Sequence, residues 1–173
     1  VVTPIPRTLA MTLYGDLDVS ILDELPPGRT PIITKHAWES QRKQVFDFMR
    51  QEIDKGRQVF VVYPLIKESE KMDYENLEAG YLRIVEEFKA PQYITAVVHG
   101  KQKTEDKNLD MQLFASGKAH ILVATSVIEV GVDVPNASIM VIESAERFGL
   151  SQLHQLRGRV GRGSNKSYCI LIR

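Results

Sequence analysis

The segment QLHQLRGRVGRG, residues 152–163, combines three arginines with three glycines. The arginines are Arg157, Arg159 and Arg162. Their guanidinium groups are planar and always charged, so each can contact two phosphate oxygens at once. Glycines allow the backbone to turn sharply and to approach a ligand closely. This combination next to a predicted strand favours phosphate recognition over the alternative, a solvated basic helix end with glycine caps.

A second candidate phosphate site is the segment HGKQK, residues 99–103. His99 and Gly100 end an apolar run, and Lys101 follows at a predicted helix start. Cations and backbone amides at such a position can both face a phosphate. The alternative is a buried, hydrogen-bonded His99 that only supports the loop.

The clustering of basic residues is informative because the chain as a whole carries no net charge. Its 173 residues include 22 lysines and arginines and 22 aspartates and glutamates. A polyanionic partner must therefore be held by a local cluster. Between residues 145 and 173 only Glu146 is acidic, whereas the basic residues are Arg147, Arg157, Arg159, Arg162, Lys166 and Arg173.

Composition limits the remaining classes of protein. A chain that is 43% apolar can bury a real core as one domain. No apolar run approaches the roughly 18 residues that span a bilayer, and no signal peptide opens the chain. The single cysteine, Cys169, lies in the apolar run YCILI, which indicates core packing and a reducing compartment. These features predict a soluble, cytoplasmic protein, and the start at VVTPIPR without a Met indicates a piece of a longer polypeptide.

Several enzyme signatures are missing from these 173 residues. Nucleotide hydrolysis commonly uses a G-x-x-x-x-G-K-[ST] loop and an acidic pair that holds magnesium, and neither occurs here. The four histidines have no metal-ligand spacing, and no G-x-S-x-G segment is present. The sequence therefore predicts no metal site, and it lacks the phosphate-binding loop of a nucleotide-hydrolysing site.

The elements that position these residues follow from the pattern of apolar side chains. Apolar runs of strand length alternate with longer segments of helical period, which is typical of parallel βα units. The predicted strands are residues 31–34, 59–66, 93–98, 120–125, 138–143 and 167–172. The predicted helices lie within residues 39–56, 75–90, 105–117 and 150–159. Right-handed crossovers then require a doubly wound, mostly parallel α/β sheet that is covered on both faces.

Two local features refine this prediction. In the first helix Val45, Phe48, Met49 and Ile53 form one apolar stripe, and Gly56 ends it. The first 28 residues do not follow the alternation of strands and helices, because they contain TPIPR and LPPGR, which are typical of a linker.

Ligands of such sheets bind at the carboxyl ends of the strands, where HGKQK follows one strand and SVIEVGVDVPNA follows another.

The arginine segment also resembles a known family. QLRGRVGR, residues 155–162, matches the Q-x-x-G-R-x-G-R pattern called motif VI in superfamily 2 helicases and translocases. VATSVIEVGVDVP, residues 123–135, resembles their motif V, and TPIPRT, residues 3–8, resembles the end of motif III. Together with PLIKESEK and LDVSILDELPPGR, these segments make the whole chain similar to RecG-type DNA helicases.

This resemblance implies a RecA-like three-layer domain at residues 29–173, the second helicase lobe. Residues 1–28 are then the tail of the first lobe and the inter-lobe linker. Arg159 and Arg162 are expected to reach the nucleotide, with Arg162 as the arginine finger. The residues expected to bind nucleotide or couple the lobes are Gln155, Gly131, Asp133, Glu129 and Arg7. The residues expected to contact the DNA backbone are Thr125, Ser126, His99, Gly100 and Lys101. Glu129 is equally well explained as a solvated carboxylate at a helix end.

The same resemblance implies the cofactor and the partners. ATP with Mg²⁺ is expected to bind mainly to the first lobe, outside these residues, so the fragment alone is expected to be inactive. The expected partners are branched or forked DNA, and the first lobe and wedge domain of the same polypeptide, but no membrane. The setting is the bacterial cytoplasm, in association with the nucleoid. The alternatives are the translocase module of a transcription-repair coupling factor and a non-enzymatic nucleic-acid-binding or protein-binding module with the same fold.

Overall fold

A computed structural model of the chain describes residues 19–20, 31–65, 70–125, 134–161 and 166–173. The strands are β1 (Val19–Ser20), β2 (Ile32–Ala37), β3 (Gln58–Tyr63), β4 (Thr95–Val98), β5 (Ile121–Thr125), β6 (Ala137–Ile142) and β7 (Ser167–Ile172). The α-helices are α1 (Arg42–Asp54), α2 (Glu70–Glu87), α3 (Thr104–Ala115) and α4 (Leu150–Arg157). Two 3-10 turns cover Glu39–Gln41 and Ala145–Arg147. In the described part of the chain, no helix is both long and apolar enough to cross a membrane.

The described strands form one sheet in the order β1-β2-β7-β6-β3-β5-β4. Every neighbouring pair is parallel except β1 and β2, which are antiparallel. The predicted mostly parallel, doubly wound sheet is therefore confirmed. The pairing of β1 with β2 was not predicted, because a strand of two residues leaves no periodic pattern in the sequence.

Two apolar clusters cover the two faces of the sheet. One contains buried residues of α1 and α2, and the other contains buried residues of α3 and α4. Successive residues of β3 alternate between them, with Val59 and Val61 on the α1–α2 side and Phe60 and Val62 on the α3–α4 side. Three layers result, which explains why β3, β5 and β6 are apolar at nearly every position. Cys169 is buried in the α3–α4 cluster, as predicted, and burial raises its pKa to about 12.

Helix α1 differs from its predicted stripe at one position. Three of the four predicted core residues are buried, but Phe46 takes the place of Phe48 as the buried aromatic residue. Phe46 packs edge-to-face on Phe88 at 5.8 Å, whereas the half-buried Phe48 packs on Tyr168 at 4.9 Å. The buried face of α1 is wider than one stripe, because Phe46 also packs on Phe88, the residue that follows α2.

The bounds of several elements also differ from prediction. Strand β3 ends at Tyr63 and not at residue 66, and β4 begins at Thr95 and not at residue 93. Strand β2 continues to Ala37, and helix α2 already begins at Glu70. In both cases the additional residues are partly polar and partly exposed, so apolar periodicity did not reveal them. Gly56 ends the α1 segment as predicted, with a φ of +92°.

A buried glutamine ties several elements together at the amino edge of the sheet. The side-chain amide of Gln58 donates to the carbonyl oxygens of Phe114 at 2.6 Å and Ala119 at 2.8 Å. Its oxygen accepts a hydrogen bond from Asn136 Nδ2 at 3.1 Å. The start of β3 is thereby joined to the α3–β5 connection and to the residue that precedes β6.

Candidate functional site

Two of the predicted site residues lie side by side at the carboxyl edge of the sheet. Val98 of β4 pairs with Ala124 of β5, so His99 and Thr125 follow on neighbouring strands. Thr125 is also in register with Tyr63 at the end of β3. Thr125 is buried and His99 is half-buried.

The loop after β4 is closed by its own hydrogen bonds. His99 Nδ1 accepts from the Lys101 backbone amide at 3.2 Å, and the His99 amide donates to Gln102 Oε1 at 3.0 Å. Gln102 Nε2 donates in turn to the Val97 carbonyl oxygen at 2.9 Å. The amides of His99 and Lys101, which the sequence predicted to face a phosphate, are therefore already engaged within the loop. The attraction of this loop for an anion depends on its cationic side chain and on the open backbone at Gly100, where an added Cβ would meet no atom within 4 Å.

Tyr74 of helix α2 holds this loop from the side. Its ring lies edge-to-face against the His99 ring at 4.8 Å, and the Lys101 Nζ lies 4.8 Å from the centre of the Tyr74 ring. Such a cation–π contact restricts the lysine while leaving its ammonium group exposed. Burial is the main cause that lowers the pKa of His99, and the charge of the nearby Lys107 adds to it. The lowered pKa agrees with a neutral ring that accepts a hydrogen bond through Nδ1.

A buried ion pair lies at the carboxyl end of β6. The Arg42 guanidinium contacts both carboxylate oxygens of Glu143, at 2.5 Å and 2.6 Å, and both of Glu39 at 2.7 Å. The Glu143 side chain is only 6% exposed, so this pair is shielded from water. Burial alone would lower the pKa of Arg42, but the bonds to Glu143 and Glu39 outweigh it and raise the pKa above its ordinary value.

Tyr63 lies beside this ion pair and packs against helix α2. Burial, with a smaller contribution from Glu143, raises the pKa of Tyr63. Its hydroxyl group occupies the space next to Gly80, where an added Cβ would lie 1.7 Å from the Tyr63 oxygen. The glycine therefore allows α2 to approach the end of β3 closely.

The arginine segment begins with a side chain that points inward. Arg157, the last residue of α4, is 8% exposed. Its Nε donates to Thr34 Oγ1 at 2.8 Å, and its Nη2 donates to the Ile32 carbonyl oxygen at 3.3 Å. Burial lowers the pKa of Arg157. The interpretation of all three arginines as phosphate contacts is therefore wrong for Arg157, which contacts strand β2 instead.

The residues that follow α4 form a tight turn. The Arg159 amide donates to the Leu156 carbonyl oxygen at 3.0 Å, and the Arg159 side chain is half-buried. Gly161 has a φ of +80°, a left-handed conformation that other residues adopt at a cost, so the predicted sharp turn is confirmed there. Gln155 lies on α4 and is exposed.

The other predicted site residues lie outside the described residues. They are Arg7, Ser126, Glu129, Gly131, Asp133 and Arg162. Those that are described form two groups, because Arg157 contacts β2 near one side of the sheet and His99 follows β4 at the other. Five strand spacings separate β2 from β4, or about 24 Å. Within the described ranges, no group of three or more His, Cys, Asp or Glu side chains could hold a metal ion.

Comparisons with known proteins agree with this geometry. Residues 41–164 match the family model described as the helicase conserved C-terminal domain. The ATP-dependent DNA helicase RecG of Synechocystis sp. is 52% identical over 170 residues, which is 98% of this chain and 20% of that protein. RecG of Aquifex aeolicus is also 52% identical over 98% of this chain and 21% of its own length. The chain thus spans about a fifth of the length of these relatives.

Solved structures give the same result. RecG bound to a three-way DNA junction matches with a TM-score of 0.70 and 47% identity, over 98% of this chain and 22% of that one. Domain 2 of the DEAD-box helicase Mss116p bound to an RNA duplex matches with a TM-score of 0.59 over 80% of this chain and 53% of that one. At 16% identity the second likeness concerns the fold alone.

Proposed function

The chain belongs to the helicase conserved C-terminal domain family, and from this premise we propose that it acts as the second motor lobe of a RecG-type ATP-dependent DNA helicase. The chain has the RecA-like three-layer fold of the C-terminal lobe of RecG, to which it is similar over nearly its whole length. The proposed substrates of the intact protein are stalled replication forks and recombination intermediates.

The observation that carries this proposal is the separation of two phosphate-directed groups. The turn with Arg159 follows Arg157, which contacts β2, and the exposed Lys101 follows β4, which is five strands away from β2 in the sheet. A motor lobe must bind a nucleotide at one surface and a nucleic acid at another, and two segments on different parts of the sheet fit that requirement.

The nucleotide side supplies guanidinium groups to phosphates. Arg159 and Arg162 would approach the γ-phosphate of ATP when the first lobe closes on this one, and their planar forks suit phosphate oxygens. Stabilisation of charge on the transferring phosphoryl group is the contribution expected of such arginines. Mg²⁺ would be held mainly by the first lobe. The residues proposed to couple the two lobes are Gln155, Gly131, Asp133, Glu129 and Arg7.

The nucleic-acid side holds the backbone without reading bases. We assign this role to Lys101 and Gly100 at the loop after β4, with Thr125 at the end of β5 and Ser126, the next residue in the sequence. His99 contributes by accepting the Lys101 amide, so it shapes the loop. Contacts of this kind position a protein on DNA but carry no sequence information.

The proposed partners follow from the relatives. One solved RecG is bound to a three-way DNA junction, which supports forked or branched DNA as the partner of the intact protein. The first helicase lobe and a wedge domain would belong to the same polypeptide. The proposed location is the bacterial cytoplasm in association with the nucleoid.

Residues 1–173 alone are expected to have no DNA-stimulated ATPase activity, whereas the intact protein is expected to hydrolyse ATP when forked DNA is added. The reason is that this chain has the nucleotide-directed arginines without the phosphate-binding loop. Steady-state hydrolysis by both proteins, at equal concentration and with and without DNA, measures the difference. DNA-stimulated turnover by the short chain, or no such turnover by the intact protein, would refute the proposal that ATP hydrolysis needs both lobes.

Lys101→Gln in the intact protein is expected to weaken DNA binding equally for different sequences and to reduce the slope of log affinity against log salt by about 1. The matched control is Lys118→Gln, because Lys118 is also exposed but lies just before β5, at the opposite edge of the sheet. Titration of labelled forks at several salt concentrations gives both slopes. Equal slopes for the two variants would remove Lys101 from the DNA surface.

A further inference from the structure

The buried Arg157 has a position that phosphate binding does not explain. We propose that Arg157 is a positioning residue that fixes the turn carrying Arg159 to strand β2, so that Arg159 moves with that strand. This inference rests on the proposed function, because it assumes that the turn faces a nucleotide.

The contacts of Arg157 all lead to one strand. Nε donates to the Thr34 hydroxyl at 2.8 Å and Nη2 to the Ile32 carbonyl at 3.3 Å, and both partners belong to β2. No carboxylate of the described residues forms a salt bridge with Arg157. The guanidinium is thus held by neutral acceptors inside the domain.

Burial of a charge in this way does not serve packing alone. Removing a guanidinium from water is costly, and an apolar side chain of similar volume often replaces a buried charge without loss of stability. A leucine or methionine at position 157 would also avoid that cost. The guanidinium adds direction instead, because its rigid fork aims two hydrogen bonds at successive points of the same strand.

The turn after α4 starts from Arg157 itself. The Arg157 carbonyl oxygen accepts from the Val160 amide at 3.4 Å, and the next residue, Gly161, has a left-handed φ of +80°. Arg159 lies between these two points. A displacement of the Arg157 side chain would therefore displace the backbone that carries Arg159.

Strand β2 is also the first strand after the predicted tail and inter-lobe linker at residues 1–28, which contain β1. Thr34 pairs with Val19 of β1 on one side and with Cys169 of β7 on the other. Movement of the linker would therefore reach strand β2 first, and Arg157 connects β2 to the turn with Arg159 that would contact the nucleotide. Such a connection would let lobe closure and arginine placement occur together.

The test compares Thr34→Val with Thr34→Ser in the intact protein. Valine keeps the size and branching of threonine but removes the acceptor of the Arg157 Nε, whereas serine keeps the hydroxyl. For Thr34→Val we expect kcat of DNA-stimulated ATP hydrolysis to fall about 10-fold, with the KM for ATP within about 2-fold, because a small misplacement acts on the transition state. Thr34→Ser is expected to stay close to wild type.

Hydrogen exchange gives a readout that does not depend on activity. In Thr34→Val the amides of residues 150–161 are expected to exchange about 10-fold faster, because the end of α4 has lost an anchor, while those of α3 remain unchanged. Gln58→Leu serves as the control for a general loss of stability, since it breaks hydrogen bonds at the amino edge of β3, away from the turn. Its kcat is expected to equal that of wild type at temperatures well below melting.

The outcomes are distinct. The positioning role is wrong if Thr34→Val matches Thr34→Ser in both kcat and hydrogen exchange. It is also wrong if Thr34→Val and Gln58→Leu lose the same melting temperature and Thr34→Val loses no more kcat than Gln58→Leu. If Thr34→Val does not fold, Arg157→Met takes its place, and wild-type kcat and exchange in that variant overturn the inference. If the wild-type intact protein has no DNA-stimulated ATPase activity, the proposed function fails instead, and the exchange result still decides whether the Thr34 contact anchors the turn.

Discussion

Arg162→Lys in the intact protein is expected to lower the rate of ATP hydrolysis by about 10³- to 10⁵-fold, which corresponds to about 4 to 7 kcal/mol of transition-state stabilisation. Lysine keeps the positive charge but loses the planar fork, so it cannot replace an arginine finger. Because the loss concerns the transition state, the affinity for ATP and the melting temperature are expected to change little. Arg162→Ala is expected to behave similarly.

The control for Arg162 is Arg147→Lys, since Arg147 is exposed in the 3-10 turn that precedes α4. Steady-state kinetics, ATP binding and thermal melts of all three variants separate the possibilities. A solvated surface cation would change stability by no more than about 0.5 kcal/mol and would leave turnover intact. Near-normal turnover in both Arg162 variants would therefore exclude the finger role.

Arg42→Met is expected to lower the free energy of unfolding by about 3 to 5 kcal/mol, because it leaves the Glu143 carboxylate buried without its partner. Arg42 and Glu143 form two short hydrogen bonds at the end of β6, and their side chains are 12% and 6% exposed. Denaturant titration of the variant measures the loss. The double variant Arg42→Met/Glu143→Leu is expected to recover most of it, since both charges are then absent.

An exposed pair in the same network provides the control. Arg83 contacts Glu39 at 3.3 Å with side chains that are 46% and 62% exposed. Arg83→Met is expected to cost less than about 1 kcal/mol, because water screens this pair. If Arg42→Met were as mild as Arg83→Met, or if the double variant were no more stable than Arg42→Met, the buried pair would not have the predicted importance.

Local sequence patterns predicted the strands and helices, because the spacing of apolar residues depends on which faces of an element are buried. The apolar runs of β3, β5 and β6 correctly indicated strands covered on both faces. Helix α1 was correct at three core positions and wrong at Phe48. Periodicity marks one buried stripe, whereas the position of Phe46 depends on its contact with Phe88, which lies far away in the chain.

The candidate site was predictable where one segment carries the signal and not where distant residues meet. The sharp turn at Gly161 follows from its glycine-rich segment. The inward direction of Arg157 depends on Thr34, 123 positions earlier, and the bond of Arg42 to Glu143 spans 101 positions. No local pattern records such a meeting. Tyr74 was not predicted for the same reason, since it lies on helix α2 whereas its partners His99 and Lys101 follow strand β4.

The order of the strands affects how this domain can be made. The last two of the described strands, β6 and β7, lie between β2 and β3, which are synthesised much earlier. Strand β2 has only the two residues of β1 beside it until β7 leaves the ribosome, because Ile32 must wait for Ser167 to form its pair. Long-range parallel pairings of this kind form slowly, and unpaired strand edges favour aggregation in the meantime. A nascent chain that stalls before β7 would therefore leave β2 and β6 with unpaired edges, whereas β3 would already be paired with β5 and β6. The pairing of β7 with β2 and β6 is then the step that removes these two edges and the risk of self-association that they carry.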